Sequence, residues 1–261
     1  MGDRRRVALV TGGGRGIGRA IAQVFAEAGI TVAITGRNAE VLSAAAAEVA
    51  TSGGAVSAHP CDVSDEAAVA ACVEDVIDRH GGIDILVNNA GIAGPTANLQ
   101  DVSAAEWDEV QAINVRGPFL CTRAVAPHML ARGSGHVLFV SALGGGLRAY
   151  PSRLPYAVSK AALLAMTQTV AAELRPGGIG VNAVTPGPVK GERLERVFAG
   201  RAAQSGESVQ AIARQLAEKA PALSFPDELE VARVALFLCS PEADHIVGQS
   251  INVTGGIEIL Q

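Results

Sequence analysis

Aromatic side chains are scarce in this chain: they make up 3% of 261 residues, with a single tryptophan and two tyrosines. A core cannot then rest on large rings and has to be built from Ala, Val, Ile and Leu, which carry most of the 49% apolar content. Long apolar runs are missing too. None reaches the ~18 residues that a membrane span needs, so no membrane partner is expected. Arg4-Arg5-Arg6 leads straight into Val7–Val10 and a glycine loop, without the longer apolar stretch and small-residue cleavage site of a signal peptide. Positive charge is also in deficit, with 21 Lys and Arg against 26 Asp and Glu and a net charge of −5. That balance argues against a nucleic-acid or anionic-membrane footprint. Cys61, Cys72, Cys121 and Cys239 are scattered, with no CxxC pair and no His/Cys cluster at metal spacing. They read as buried, reduced thiols of a cytoplasmic protein, and no metal is expected.

Glycine, by contrast, is abundant at 30 residues. Strand-length apolar runs alternate with segments of helical periodicity. Strands are expected at Val7–Val10, Thr31–Thr35, Val56–Pro60, Ile83–Val87, His136–Ser141, Gly180–Val184 and Ser250–Val253. Helices are expected at Ile17–Ala28 and Asn38–Ala50, among others, with capping boxes at Ser103–Glu106 and Asp227–Glu230 and caps at Asn38 and Ser64. Repeated strand–helix alternation implies an α/β fold: a single Rossmann-type, doubly wound parallel sheet with helices on both faces. No linker or repeat divides residues 1–261, so one dinucleotide-binding and catalytic domain is expected. Residues 185–224, rich in Gly and Pro, read as a mobile substrate-side insert over the end of the sheet.

Thr11-Gly-Gly-Gly-Arg-Gly-Ile-Gly18 follows the first strand and opens the first helix. Glycines let backbone turn sharply and approach a pyrophosphate, and the helix N-terminus supplies N–H groups and positive dipole. A ligand-free glycine turn is the plainer reading of this motif alone. The spacing TGxxxGxG, however, resembles that of the short-chain dehydrogenase/reductase family. So do Asn88-Asn-Ala-Gly91 after the fourth strand, Asn114, Tyr156-Ala-Val-Ser-Lys160, and Pro186-Gly187 after the sixth strand. The five motifs occur in family order between about Val7 and Gly256.

The resemblance implies a nicotinamide dinucleotide held by Gly12, Arg15, Gly16, Ile17, Gly18, Arg37, Asp62, Val63, Asn88, Ala90, Gly91, Tyr156, Lys160, Pro186, Gly187 and Val189. An acid that would hold a ribose 2′-hydroxyl is absent where the second strand ends, Ile34-Thr35-Gly36-Arg37. A guanidinium suits a 2′-phosphate instead, so Arg37, with Arg15 as a second cation, favours NADP(H) and leaves NAD(H) as the alternative. Two solvated surface arginines are the structural alternative. Asp62 stands in the segment that the resemblance assigns to the adenine.

With two tyrosines and three lysines in the chain, a Tyr followed four residues on by Lys is expected by chance about 2% of the time. The spacing puts both side chains on one helix face. A free phenol is a poor base at neutral pH, and a nearby ammonium favours the phenolate. By resemblance, Tyr156 exchanges a proton with a carbonyl or alcohol oxygen, Lys160 holds the ribose and tunes Tyr156, and Asn114 orders a water for proton relay. The expected activity is an oxidoreductase interconverting a small-molecule carbonyl and a secondary alcohol.

Two positions depart from the family pattern. The usual serine, second of a pair after the fifth strand, is Ala142 here, and Ser141 takes the first place. Either a shifted strand end brings Ser141 in as the substrate-orienting hydroxyl, or that hydroxyl is absent, or the alanine is an introduced change. Gly191 stands where a threonine commonly bonds the nicotinamide carboxamide, leaving the backbone of Val189 to hold it. These departures motivate an alternative, a catalytically weakened nucleotide-binding regulatory or scaffold protein. Arg148, Arg153, Lys190 and Arg193 are candidate clamps for an anionic substrate group, with Leu147 and Tyr150 as walls. Related proteins are usually tetramers, so a homo-oligomer (tetramer or dimer) is implied, pairing through the Trp107–Ala131 and Leu154–Leu174 segments.

Overall fold

The β-branched runs and the glycine punctuation between them fold as that alternation requires. A computed structural model of the chain describes residues 5–259 apart from Ser52, Leu147 and Lys219, and apart from the side chains at 146, 192, 193, 196, 200, 201, 203 and 204. Seven strands, β1 (Val7–Thr11), β2 (Thr31–Gly36), β3 (Val56–Pro60), β4 (Ile85–Asn88), β5 (Gly135–Val140), β6 (Ile179–Pro186) and β7 (Ser250–Val253), form one sheet in the order β3-β2-β1-β4-β5-β6-β7. Every pairing is parallel. The order reverses between β1 and β4, and that switch point opens a crevice at the carboxyl ends of the strands.

Alternate residues of each strand feed two cores. Val7 and Leu9 join Val73, Val76, Leu120, Val125 and Leu163 on one face, from α3 (Glu66–His80), α5 (Gly117–Arg132) and α6 (Leu154–Leu174). Ala8 and Val10 join Ile21, Phe25, Leu42, Val231 and Leu238 on the other, from α1 (Gly16–Glu27), α2 (Ala39–Ala50) and α9 (Glu228–Leu238). Burial on both faces explains why the strands read as continuous apolar runs. All four cysteines are free and buried, and burial pushes the thiols of Cys121 and Cys239 up to about 12.

Local signals are reproduced closely. Asn38 caps α2 through Val41 N, and both capping boxes form, at α4 (Ala104–Gln111) and at α9. Ser64 does not cap α3. Asp65 does, accepting from Ala67 N and Ala68 N, while Ser64 turns back to Asp62. The 185–224 stretch is more regular than its Gly and Pro content suggests. Thr185 and Pro186 finish β6, and α7 (Glu192–Ser205) and α8 (Val209–Ala217) pack around Phe198, Ile212 and Phe225. Among the described residues no helix is long and apolar enough to cross a membrane, and no group of His, Cys, Asp and Glu side chains is arranged to hold a metal ion.

Candidate active site

The crevice floor is a glycine loop clamped from the neighbouring strand. Thr11 Oγ1 donates to Val87 O (3.2 Å) and accepts from Asn89 N and Ala90 N (both 3.0 Å). Asn89 Nδ2 donates to the carbonyls of Thr11 (2.9 Å) and Gly12 (3.2 Å). The two chains approach so closely that a Cβ on Gly12 would lie 2.9 Å from Ala90 Cα. Gly12 and Gly16 both take positive φ, +66° and +59°, which favours glycine. A Cβ on Gly18 would overlap both the Gly12 carbonyl oxygen and Asn89 Nδ2.

At the head of α1, Arg15 is extended and makes no side-chain cap, and the first turn carries no acid. The helices α2, α3, α4, α8 and α9 are all capped by a side chain. A tight glycine cradle ending on an uncapped helix start fits a diphosphate. Ile17 packs into the adjoining core.

Beside this loop, β2 ends at Gly36 with Arg37 exposed. Asp62 follows β3, and its Oδ1 accepts from Ser64 Oγ (2.7 Å) and Ser64 N (2.9 Å). Those bonds, with the positive charge of Arg37 nearby, hold the Asp62 carboxyl below the usual carboxylate range. Val63 is buried against Gly117. Asn88 is 1% exposed and donates to Thr122 Oγ1 of α5 (3.0 Å), which braces the sheet end.

Tyr156 and Lys160 lie one turn apart near the start of α6, both buried. Lys160 Nζ donates to Val140 O at the end of β5 (2.8 Å) and sits 5.8 Å from the centre of the Tyr156 ring. Asn114 reaches the same place from a single π-helical segment, Ala112–Arg116, between α4 and α5. Such bulges re-aim side chains and recur at functional sites. Asn114 Oδ1 accepts from Ile92 N (2.8 Å), and Nδ2 donates to Ile92 O and Ser159 Oγ (both 3.0 Å). Gly91 closes the group: a Cβ there would lie 3.1 Å from Asn114 Oδ1 and 3.7 Å from Lys160 Nζ. The sheet end, the π segment and α6 therefore converge on one phenol, one ammonium and one amide.

Ser141 is buried, and its hydroxyl donates to Lys160 O (2.8 Å). It secures the helix backbone and does not project as a substrate-orienting hydroxyl, which corrects the first of the readings above. Beyond β6, Gly187 N donates to Val253 O (2.9 Å), Val189 packs into the second core and Lys190 N donates to Pro226 O (2.9 Å). Gly191 has φ +139°, and a Cβ on it would lie 2.8 Å from Glu228 Oε1. The same oxygen lies 3.6 Å from the Cβ position of Gly16, so a carboxylate from the start of α9 stands between the two loops. In the sequence Glu228 reads only as a helix-start acid.

Among the described residues the candidate cations for an anionic clamp do not come together. Arg148 Nη1 donates to Ile257 O (2.9 Å), Arg153 donates to Thr96 Oγ1 (2.7 Å) and Ala93 O (3.0 Å), and Lys190 is exposed. Leu147 and the Arg193 side chain lie outside the described residues. Thr11, Asn89 and Ser159, which hold the site together, were visible only as parts of motifs, because their partners are distant in sequence.

Comparison with known proteins gives a consistent picture. Residues 12–258 match the family model described as enoyl-(acyl carrier protein) reductase. The chain is 38% identical over 251 residues to a sorbitol dehydrogenase of Cereibacter sphaeroides, covering 96% of each chain. It is 37% identical over 254 residues to the 3-oxoacyl-[acyl-carrier-protein] reductase FabG of Aquifex aeolicus, covering 97% of each. Among solved structures, NAD+-bound xylitol dehydrogenase superposes with a TM-score of 0.91 at 32% identity, over 98% of this chain and 100% of that one. An actinorhodin polyketide ketoreductase variant with NADPH gives 0.93 at 30% identity, over 99% of both.

Proposed function

Because the chain belongs to the short-chain dehydrogenase/reductase family, we propose that this oxidoreductase interconverts a carbonyl and a secondary alcohol, with Tyr156 as the acid/base. The observation that carries the reading is the buried Tyr156–Lys160 pair, with Nζ 5.8 Å from the ring, beside a glycine cradle that fits a dinucleotide. The bound nicotinamide supplies hydride for reduction and accepts it for oxidation. Gly12, Gly16, Ile17 and Gly18 hold the diphosphate with backbone groups, and Ala90 and Gly91 flank it. Asp62 and Val63 border the adenine, while Pro186, Gly187 and Val189 line the far side. Tyr156 gives its proton to the carbonyl oxygen in reduction and takes it from the alcohol in oxidation. Lys160, fixed by Val140 O, keeps positive charge near the phenolate when it forms. Asn114 holds the backbone of Ile92 against this centre and borders the route by which Lys160 exchanges protons with solvent.

NADP(H) is the favoured cofactor: Arg37 stands exposed where β2 ends, and Ile34-Thr35-Gly36-Arg37 carries no acid at the place where one would hold a ribose 2′-hydroxyl. Arg37→Asp is expected to invert the NADPH/NADH binding preference, measured by titration of reduced-cofactor fluorescence; an unchanged preference refutes the assignment. The alternative, a weakened nucleotide-binding protein, is supported by the Ser141 hydroxyl facing Lys160 O and by alanine at 142. Cofactor-absorbance assays with sorbitol, xylitol and β-keto esters, with Tyr156→Phe alongside, separate the two. Turnover abolished by the substitution supports the enzyme, and cofactor binding without turnover on any substrate supports the alternative. The chain is expected to act as a homo-oligomer in the cytoplasm. An open hollow lined by Asp108, Gln111, Ala112, Val115, Arg116, Phe119 and Met166, with Phe119 exposed, supports pairing through this face.

A further inference from the structure

The segment entering α6 is held in an unusual way. Ser152 takes φ +60°, a left-handed conformation that a non-glycine residue keeps only when its surroundings impose it. Those surroundings are the 93–98 loop after β4. Ala97 N donates to Ser152 O (3.0 Å) and Ser152 Oγ donates to Asn98 Oδ1 (3.2 Å). Arg153 adds a fork, with Nη1 to Thr96 Oγ1 (2.7 Å) and Nη2 to Ala93 O (3.0 Å). Four hydrogen bonds thus clasp two residues to one loop.

The Arg153 guanidinium has a second set of neighbours. Its Cζ lies 5.7 Å from the ring centres of both Tyr150 and Tyr156, and the two rings meet edge-to-face at 6.2 Å. Among the described residues no carboxylate forms an ion pair with it, and its Nε is buried without a hydrogen-bond acceptor. A cation in such a place leans on aromatic π faces. Leaving a buried donor unsatisfied is costly, and an arginine needed only to staple a loop would not require it. The same loop starts at Ile92, whose N–H and C=O are both held by Asn114. The clasp therefore joins the reacting phenol, the π segment and the wall of the crevice.

We propose that Arg153 is a positioning residue for Tyr156: its forked guanidinium, anchored on Ala93 and Thr96, sets the orientation of the phenol ring and its distance from the 93–98 wall. This rests on the reading of Tyr156 as acid/base.

The test compares wild type with Arg153→Met, Arg153→Lys, Thr96→Val, Thr96→Ser and Tyr156→Phe, all as full-length chain. Sorbitol oxidation and ethyl acetoacetate reduction serve as activity probes, and NADPH fluorescence reports cofactor binding. Misplacement of a reacting group by an ångström costs roughly 100-fold in rate. Arg153→Met is therefore expected to lower kcat roughly 10- to 100-fold with the NADPH Kd unchanged. Thr96→Val should lose less, and Thr96→Ser should restore the wild-type rate. Arg153→Lys keeps the cation without the fork and should recover only part. With only two tyrosines in the chain, 13C-tyrosine NMR of the NADPH-saturated protein should report each ring as its own signal. Arg153→Met should move both signals whether or not either probe is turned over. If Tyr156→Phe is inactive while Arg153→Met retains wild-type kcat, or if the ring signals stay in place, the proposal is overturned and the enzymatic reading stands. Full activity in Tyr156→Phe would instead overturn the reading of Tyr156 itself.

Discussion

Gly18→Ala probes the link between the glycine loop and the strand switch point. The new methyl would overlap the Gly12 carbonyl oxygen, a backbone atom, and Asn89 Nδ2, which is held by its bonds to Thr11 O and Gly12 O. Relief requires the loop and the Asn89 side chain to separate by roughly 1 Å, a typical response to overpacking. That separation breaks the bonds from Asn89 Nδ2 to Thr11 O (2.9 Å) and Gly12 O (3.2 Å). Overpacking costs about 1–3 kcal/mol, and each neutral hydrogen bond contributes about 0.5–1.5 kcal/mol. Together they place about 2–6 kcal/mol against the conformation that receives the diphosphate, weakening cofactor binding roughly 30-fold at the low end and roughly 10,000-fold or more at the high end. Fluorescence titration with NADPH measures the affinity, and thermal unfolding without cofactor measures how much of the loss is global. An affinity within about threefold of wild type, an energy below 1 kcal/mol, would refute the packing argument.

Two further outcomes follow from the same structure. Ala142→Ser should raise kcat about tenfold or more if it restores a donor to the developing oxyanion, since such donors contribute up to 100-fold or beyond; steady-state assays check it, and no gain means that the donor is supplied elsewhere. Burial, helped by neighbouring positive groups, holds the imidazoles of His80 and His136 below their ordinary value of 6.5. The folded state then binds fewer protons than the unfolded one below that value. Their contribution to stability is complete above pH 6.5 and lost as pH falls through the folded-state values. Melting temperatures should fall between neutral pH and about pH 5, and His136→Gln should lose less over that interval than wild type.

Much of the fold was legible because its signals are local. Apolar runs bounded by glycine marked all seven strands to within about two residues, a typical boundary error, and Asn38, Ser103 and Asp227 marked helix starts through caps that need only the next turn. Where two polar residues competed for one role, composition did not decide. Asp65 accepts from two backbone N–H groups, and Ser64 is taken by Asp62. Pro186 extends β6 because its lack of an N–H is harmless there, with Gly187 N bonding Val253 O in its place. The regularity of 185–224 depends on Phe198, Ile212 and Phe225 finding one another, which no window along the chain displays. In the site, Tyr156 and Lys160 stood out by type and spacing and Asn114 by the family resemblance alone, and the structure brings the three together. Arginine targets were not readable, because long side chains reach acceptors such as Ile257 O and Ala93 O that lie far along the chain. Ser141 and Glu228 were obscured for the same reason: each has an ordinary local role, and only tertiary contact shows where its oxygen points.

The most direct measurement is single-turnover hydride transfer in wild type and Tyr156→Phe, each saturated with NADPH and mixed with a carbonyl substrate that wild type reduces. Equal NADPH affinity with a rate of cofactor oxidation lower by roughly 100-fold or more in the variant is the expected result. Equal rates in the two proteins would contradict the assignment of Tyr156 as the group that moves the proton.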